Sequence, residues 1–465
     1  MYQDYVLDKR LVECVPSERQ LRLQQMEFYA FVHFTVNTFT DKEWGDGTES
    51  ETVFDPKHLD ADQWAAAVKS AGMTGLILTA KHHDGFCLWP SAYTEHSVKN
   101  SPFRGGKGDV VKEAAEACKK AGLRFGVYLS PWDRNCPLYG QGKPYDDYFC
   151  AQLTELLTNY GDLFCVWFDG ACGEGPNSKK QTYDWERYYA TVRALQPDAC
   201  ISICGPDVRW CGNEAGVTRE SEWSVIPEKM RITADPTEQN PPELNATSAD
   251  LGSRALLARA PALEWAPAET DVSIRPGWFW HKNENKKVKT VKELTDLYLR
   301  TVGGNCTLLL NIPPDTDGLF SPTDVQRLEQ LGKTIRETFA VDLARDAAFS
   351  ATADDGVHLA DNLKEDSYDT YFKTEDGVNT VTVTVTMPEM RKVHIVALKE
   401  DIRFSQRVER FAVEYRCGKG WKRVCEGTTV GYKKYARFRP VTTDALRVVI
   451  LDSRVCPVLS HVAVY

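Results

Sequence analysis

The chain has 465 residues, more than one domain usually holds, so we expect two domains, one of them large. Its content of 42% hydrophobic and 26% charged residues is typical of globular proteins. A net charge of −10 argues against a nucleic-acid groove and an anionic membrane surface, and no stretch approaches the roughly 18 apolar residues that span a bilayer. We therefore expect no nucleic-acid partner and no membrane insertion.

The N-terminus and the cysteines bear on the compartment. The first 20 residues contain no apolar core, which predicts no signal peptide. Fourteen cysteines are scattered along the chain without a CxxC pair, and several lie in apolar runs where free cysteine packs as a small hydrophobe. We expect a reducing, cytoplasmic location, or export with a leader that lies outside this sequence.

Strands and amphipathic helices alternate from about residue 17 to 340. The expected strands are 28–34, 76–80, 125–130, 163–168, 200–204, a sixth near 221–225, 263–265 and 307–312. The expected helices are a short one capped by Ser17, then 62–72, 109–121, 146–160, 185–195, 290–302 and 321–339. A polar, proline-bearing insertion at 226–262 is expected either to shape a substrate cleft or to be a surface loop.

Repeated βα units fit either a (β/α)₈ barrel or a doubly wound sheet. The phosphate-binding patterns GxGxxG and GxxxxGK[ST] are both absent, and ionisable residues follow several different strands, which favours the barrel. After Arg345 the pattern changes to alternation, as in the run 380–385. We predict a (β/α)₈-like catalytic barrel at residues 1–342, followed by an antiparallel β-sandwich at 343–465.

Asp169 directly follows the apolar strand 163–168, and Lys81, His82, His83 and Asp84 follow the strand 76–80. At the carboxyl ends of parallel strands such groups converge on one site. The chain has no HxH pair for a metal and no GxSxG elbow for a serine nucleophile. We therefore expect carboxylate chemistry without metal or cofactor.

Aromatic residues concentrate around the proposed mouth of the barrel. Sugars stack their C–H faces on aromatic rings, while paired acids perform glycoside hydrolysis. These aromatic residues are Trp44, Trp89, Tyr128, Trp132, Trp167, Trp210, Trp223, Trp278 and Trp280. The pattern indicates a glycosidase, in which Asp169 beside Trp167 is the candidate nucleophile.

Six motifs extend over nearly the whole chain: FVHFTVNTF, KHHDGF, GVYLSPWD, VWFDG, ETDVSIRPGWFW and LLLNIPP. With these motifs the chain resembles the α-L-fucosidases of glycoside hydrolase family 29. The resemblance implies a (β/α)₈-like barrel with a C-terminal β-sandwich, and a retaining double displacement without metal or organic cofactor. It also implies a fucosylated oligosaccharide or glycoconjugate as the substrate.

The resemblance implies specific site residues as well. Asp169 is expected to be the nucleophile. Glu214, in the motif WCGNEAG, is expected to be the acid/base, with Glu269, Glu220, Glu222 and Glu264 as alternatives. The fucose pocket is expected to be lined by His33, Glu43, Trp44, His82, His83, Tyr128, Trp167, Arg209 and Trp278. Arg209 is a candidate cation for stabilising ionised Asp169.

The motif around Glu214 is similar to that of the branch that cleaves α-1,3/1,4-linked fucose from branched, Lewis-type glycans. We therefore expect an exo-acting, retaining α-L-fucosidase of that specificity. Two alternatives stay open, namely a broad fucosidase acting on simple fucosides and a non-catalytic glycan-binding protein.

Overall fold

The barrel domain is built on parallel strands, in a computed structural model that describes residues 2–228 and 244–465. The first ten strands of this described chain are β1 (Phe28–Val32), β2 (Gly75–Lys81), β3 (Arg124–Leu129), β4 (Leu163–Phe168), β5 (Cys200–Ile203), β6 (Arg209–Trp210), β7 (Val225–Pro227), β8 (Leu263–Trp265), β9 (Ala268–Ser273) and β10 (Cys306–Asn311). All except β7 and β8 form one parallel sheet in the order β5-β4-β3-β2-β1-β10-β9-β6. A bridge between Ser202 and Val208 connects its two outer strands, so the barrel is nearly closed.

Helices surround this sheet. They are α1 (Tyr2–Val12), α2 (Glu18–Met26), α3 (Val36–Thr40), α4 (Ala61–Ser70), α5 (Val110–Ala121), α6 (Lys143–Asn159), α7 (Trp185–Leu195), α8 (Arg254–Leu257), α9 (Val291–Thr301) and α10 (Pro322–Thr338). Side chains satisfy the free N–H groups at several helix starts: Asp60 accepts from Gln63 N, and Asp109 accepts from Lys112 N. Within the described ranges, no helix combines the length and apolar character that a membrane span requires.

Burial explains why the barrel strands read as continuous apolar runs. Every residue of β1, β2, β4 and β10 is buried, because the sheet is covered by helices outside and packed side chains inside. The predicted strands at these positions are confirmed, and so are the helices around them, to within three residues at their ends.

The predicted sixth barrel strand near 221–225 is wrong. Val225–Pro227 pairs antiparallel with β8 outside the barrel, and the two-residue strand β6 takes its place. The strand after it in the barrel is β9 rather than 263–265. β9 carries the inward-facing acids Glu269 and Asp271, so it lacks the apolar signature on which the prediction relied.

The second domain is a seven-stranded antiparallel sheet. Its strands are β11 (Ala348–Ala351), β12 (Phe372–Lys373), β13 (Val381–Glu400), β14 (Val408–Cys417), β15 (Gly420–Gly427), β16 (Lys434–Ser453) and β17 (Val458–Val464). The predicted antiparallel domain is confirmed. The alternating run predicted at 380–385 lies in the first part of the long strand β13, which is interrupted by a bulge after Thr386.

The two domains share buried polar contacts. Lys433 forms an ion pair with Glu27 at the end of α2, and Tyr432 donates a hydrogen bond of 2.9 Å to the same carboxylate. Asn305 of the barrel accepts from Tyr432 N at 2.8 Å and donates to the carbonyl of Glu222 at 2.8 Å. The second domain is thereby connected to the polypeptide that follows β6.

A buried ion pair joins the carboxyl ends of β2 and β3. Lys81 Nζ lies 2.9 Å from Asp133 Oδ2 and 2.9 Å from Gln152 Oε1, and the lysine side chain is 0% exposed. The other oxygen of Asp133 accepts the backbone N–H groups of Asn135 and Cys136. Neither charge is left without a partner, so the ends of the two strands are held in a fixed relation.

Removing one partner of this pair should destabilise the barrel, because the remaining charge would stay buried without compensation. We expect Lys81→Met to lower the free energy of unfolding by about 3–5 kcal/mol, measured by urea unfolding followed by tryptophan fluorescence. Lys143→Met removes the lysine of an exposed ion pair with Asp147 and should change it little. Equal losses in the two variants would contradict a structural role for the buried pair.

Candidate active site

A cavity of about 490 Å³ opens at the carboxyl ends of the barrel strands. The structure brings nine of the eleven predicted site residues together around it. These are Asp169, Glu214, His33, Glu43, Trp44, His82, His83, Trp167 and Trp278. Trp210, one of the aromatic residues expected at the mouth of the barrel, also lines the cavity. Asp271 and Phe31 line it too and were not among the predicted site residues.

Asp169 follows the last residue of β4 and is surrounded by hydrogen-bond donors. Its Oδ1 accepts the backbone N–H of Ala171 at 2.7 Å, and its Oδ2 accepts the hydroxyl of Tyr128 at 3.1 Å. His83 Nε2 lies 3.8 Å from the same Oδ2. Tyr128 therefore contacts the carboxylate rather than the cavity itself. Ala171 and Tyr128 thus offer hydrogen bonds that a carboxylate can accept, and the side chain remains 26% exposed.

Glu214 lies in the loop 211–216 after β6, and this loop is held from two sides. Asn213 Oδ1 accepts the backbone N–H groups of Ala215 and Val217, and Arg300 Nε donates to the carbonyl of Gly216 at 2.7 Å. Glu214 Oε2 accepts the indole N–H of Trp278 at 3.3 Å. An exposed loop carboxylate is in this way given a defined position at the mouth of the cavity.

The surroundings of Glu214 favour its protonated form. Loss of solvent contact raises the pKa of this carboxyl, and the negative charges of Asp169 and Glu43 raise it further, while the hydrogen bond from Trp278 opposes the shift. Two of the four carboxyl groups that line this cavity thus differ in their surroundings: Asp169 accepts hydrogen bonds from two donors, whereas Glu214 has acidic neighbours that favour its protonated form.

His33 presents an acceptor to the cavity. The amide nitrogen of Asn311 donates to the carbonyl of Trp278 at 2.8 Å, so its oxygen faces His33 Nδ1, at 2.8 Å. The proton of the neutral ring therefore lies on Nδ1, and Nε2 has a free lone pair. Burial lowers the pKa of His33 to about 3, so the ring is neutral at physiological pH.

His82 and His83 both line the cavity because β2 has ended at Lys81. Ser130 Oγ donates to the carbonyl of Trp132 at 2.6 Å and so accepts from His83 Nδ1 at 2.7 Å. His83, like His33, therefore keeps a lone pair on Nε2. His82 Nδ1 is buried and has no hydrogen-bond partner among the described residues, which leaves Nε2 free to carry the proton. Burial lowers the pKa of both rings.

Glu43 lines the cavity, but its two oxygens are occupied by the loop that carries Trp278. They accept the backbone N–H groups of Trp278 at 2.8 Å and Phe279 at 3.1 Å, and His281 Nε2 lies 2.7 Å away. The start of this loop is anchored by Arg275, whose guanidinium contacts both oxygens of the buried Asp324. Glu43 therefore positions the aromatic wall of the cavity.

Arg209 is not part of the cavity, contrary to expectation. Adjacent strand residues point to opposite faces, and in β6 it is Trp210 that faces inward. Arg209 instead forms an ion pair with Glu222 and donates to the carbonyl of Trp223 at 2.7 Å. It cannot serve as the cation that stabilises Asp169.

The four alternative acids do not line the cavity described here. Glu222 is paired with Arg209, and Glu269 lies beneath Trp167, whose indole N–H it accepts at 2.8 Å. Of the predicted insertion, residues 229–243 lie outside the described part of the chain. In the described ranges, no group of three or more His, Cys, Asp and Glu side chains has an arrangement that could hold a metal ion.

Comparisons with known proteins identify the family of this chain. A family model described as alpha-L-fucosidase matches residues 14–338. The chain is 40% identical over 463 residues to alpha-L-fucosidase 1 of Arabidopsis thaliana, covering 97% of this chain and 87% of the relative. Plasma alpha-L-fucosidase of Homo sapiens is 26% identical over 300 residues, covering 61% and 55% of the two chains.

A solved structure of a Ruminococcus gnavus GH29 fucosidase in complex with fucose superimposes with a TM-score of 0.85 at 31% identity. The match covers 97% of this chain and 95% of that one. The family model covers more than half of the chain, and the similarity to the Arabidopsis protein extends through both domains. The chain therefore belongs to the α-L-fucosidases of glycoside hydrolase family 29.

Proposed function

We propose that this α-L-fucosidase releases α-1,3/1,4-linked L-fucose from branched, Lewis-type glycans by a retaining double displacement. The observation that carries the mechanism is the contrast between two carboxyl groups lining one cavity: Asp169 accepts hydrogen bonds from Ala171 and Tyr128, whereas partial burial and negative neighbours raise the pKa of Glu214. The linkage preference rests on the motif around Glu214. The fucose complex of the Ruminococcus gnavus relative supports fucose as the occupant of this cavity.

In the first step, Asp169 Oδ2 attacks the anomeric carbon while Glu214 gives its proton to the departing glycosidic oxygen. The bond from the anomeric carbon to this oxygen breaks as the bond to Asp169 forms, which leaves a covalent fucosyl-enzyme and a neutral sugar alcohol. Tyr128 releases its hydrogen bond to the carboxylate as the charge on Asp169 is lost.

In the second step, Glu214 acts as a base. It takes a proton from water, whose oxygen attacks the anomeric carbon and displaces Asp169 as a carboxylate. Two inversions at the same carbon restore the original anomeric configuration. Meanwhile, Nε2 of His33 and Nε2 of His83 accept hydrogen bonds from the sugar hydroxyl groups, since both rings are neutral.

The mouth of the cavity suits a branched aglycone. Trp44 is 57% exposed and contacts His83 and Trp132 edge-on, with ring centroids 5.8 and 5.5 Å apart. An exposed aromatic surface on the cavity lining offers a platform for a second sugar ring.

Azide should separate the two catalytic roles. Asp169→Ala is expected to lower kcat by at least about 1000-fold, with azide attacking the substrate directly to give β-fucosyl azide. Glu214→Ala should lose turnover mainly on substrates with poor leaving groups, and azide should give α-fucosyl azide from the covalent intermediate. Product configuration is read by proton NMR.

Two matched controls accompany these variants. Asp162 precedes the strand that Asp169 follows and is exposed at its other end, so Asp162→Asn should keep normal turnover. Glu220→Ala removes an exposed alternative acid and should also turn over normally. Azide rescue in Glu220→Ala, or substantial turnover in Asp169→Ala, would reassign the roles.

The pH profile should report the proton on Glu214. Its raised pKa means that kcat/KM falls as pH rises through a value above the usual glutamic acid range of about 4.3. Trp278→Phe removes the donor that lowers this pKa, so the alkaline limb should move to higher pH. Trp44→Phe, which alters the cavity without touching Glu214, should leave the limb in place. An alkaline limb that moves equally in both variants contradicts the assignment.

Linkage preference is tested by comparing a Lewis-type trisaccharide with an aryl α-L-fucoside. Because the exposed Trp44 and the Glu214 loop lie where the aglycone leaves, we expect a kcat/KM at least about tenfold higher for the trisaccharide, one added sugar contact being enough for this factor. Released fucose is quantified by chromatography. Equal or faster hydrolysis of the aryl fucoside would instead make the enzyme a broad fucosidase.

A further inference from the structure

The inward face of β9 carries a carboxyl group to which the mechanism above gives no role. Residues 269 and 271 are two apart and share this face. Glu269 lies deep, beneath Trp167, whereas Asp271 lines the cavity itself. The indole N–H of Trp210 donates to Asp271 Oδ1 at 2.7 Å. One oxygen of this carboxyl group is therefore fixed. The other oxygen, Oδ2, accepts no hydrogen bond from the described side chains.

The surroundings of Asp271 do not suit an anion. The residue is only 5% exposed, and no lysine, arginine or histidine of the described chain lies within ion-pair distance of it. The charged groups that act on it are the acids Glu214 and Glu269. Burial raises the pKa of Asp271 well above its ordinary value, and the charge of Glu214 raises it further. A neutral carboxylic acid is a hydrogen-bond donor, which a carboxylate is not.

The cavity has few other donors to offer a sugar. The indole N–H of Trp278 is engaged by Glu214, and the hydroxyl of Tyr128 by Asp169. His33 and His83 face the cavity with acceptor nitrogens, and His82, with its proton on Nε2, offers one donor. Each sugar hydroxyl both donates and accepts, so one donor among these acceptors would leave part of the hydrogen-bonding capacity of the sugar unmet. A protonated Asp271 supplies a further donor from β9, next to the Trp210 indole that it accepts from.

We propose that Asp271 is a substrate-binding residue that donates a hydrogen bond from its carboxylic acid group to one hydroxyl of the bound fucose, with Trp210 fixing the orientation of the acid. The proposal rests on the proposed function, because it takes fucose as the occupant of the cavity. It assigns to Asp271 a role in recognising the sugar that is distinct from the proton transfer by Glu214.

The test combines enzyme variants with aryl α-L-fucosides that lack the hydroxyl at position 2, 3 or 4. Asp271→Ala should lose kcat/KM at least about tenfold on the intact fucoside, as expected for one hydrogen bond in a buried site. On one of the deoxy substrates, Asp271→Ala and the unmodified enzyme should have the same kcat/KM. That substrate lacks the hydroxyl that Asp271 contacts, so removing the donor costs nothing further. Asp271→Asn keeps a neutral donor of the same shape and should recover most of the loss on the intact substrate.

Thr270→Val is the matched control, because Thr270 precedes Asp271 on the same strand and points to the other face. The ratio of its kcat/KM to that of the unmodified enzyme should be the same for the intact fucoside and for each deoxy substrate. If Asp271→Ala does not fold, as judged by circular dichroism, Asp271→Leu, which is similar in size and has no donor, takes its place in the comparison.

Three results would overturn the proposal. A loss of the same size on every deoxy substrate would make Asp271 a structural support for Trp210. An asparagine variant as poor as the alanine variant would mean that the group acts as an anion. Azide rescue of Asp271→Ala would make it the proton donor to the leaving group. Failure of the proposed function is seen separately, as absence of fucose release by the unmodified enzyme.

Discussion

The buried ion pair between Lys81 and Asp133 is the contact on which the arrangement of the site depends. Lys81 is the last residue of β2, and its ammonium group is held within the protein by Asp133 and Gln152. The strand therefore ends there, and the next two residues escape the alternation that would send them to opposite faces. Asp133 in turn fixes the segment after β3, where Ser130 holds the ring of His83. One interior charge pair thus sets the positions of both histidines.

The electrostatics of the cavity follow from burial more than from charge pairing. Its three histidines are neutral, so they offer hydrogen-bonding atoms to a neutral sugar without adding positive charge. The cationic side chains near the site are used elsewhere, Arg300 on loop carbonyls and Arg275 on Asp324. Negative charge on Asp169 is stabilised by N–H and O–H dipoles instead. Such an environment raises the pKa of a neighbouring carboxyl, as it does for Glu214.

Much of the barrel could be predicted because its central strands are buried on both faces and therefore apolar throughout, as in 163–168. The predicted strands were wrong at β6 and β9. β6 has only two residues, too few for any periodicity, and β9 directs carboxyl groups rather than apolar side chains into the barrel. The same reason explains the site. Asp169 and the two histidines follow apolar strands and could be selected from the sequence, whereas Asp271 lies within a strand whose pattern looked polar. Arg209 was expected in the cavity and lies outside it, because a two-residue strand gives no clue to which residue faces inward.

The contacts between the domains carry a consequence for how such enzymes are inherited and recombined. Asn305 joins the backbone of Tyr432 in the second domain to the carbonyl of Glu222, the residue paired with Arg209 beside the cavity wall. Gly303 approaches the ring of Tyr435 so closely that any side chain there would collide with it. A second domain taken from a relative would therefore have to bring matching partners for both positions. The barrel and the sheet form a co-adapted unit. Exchange of either half alone would disturb the series of contacts that runs from Tyr432 through Asn305 and Glu222 to Arg209, next to Trp210.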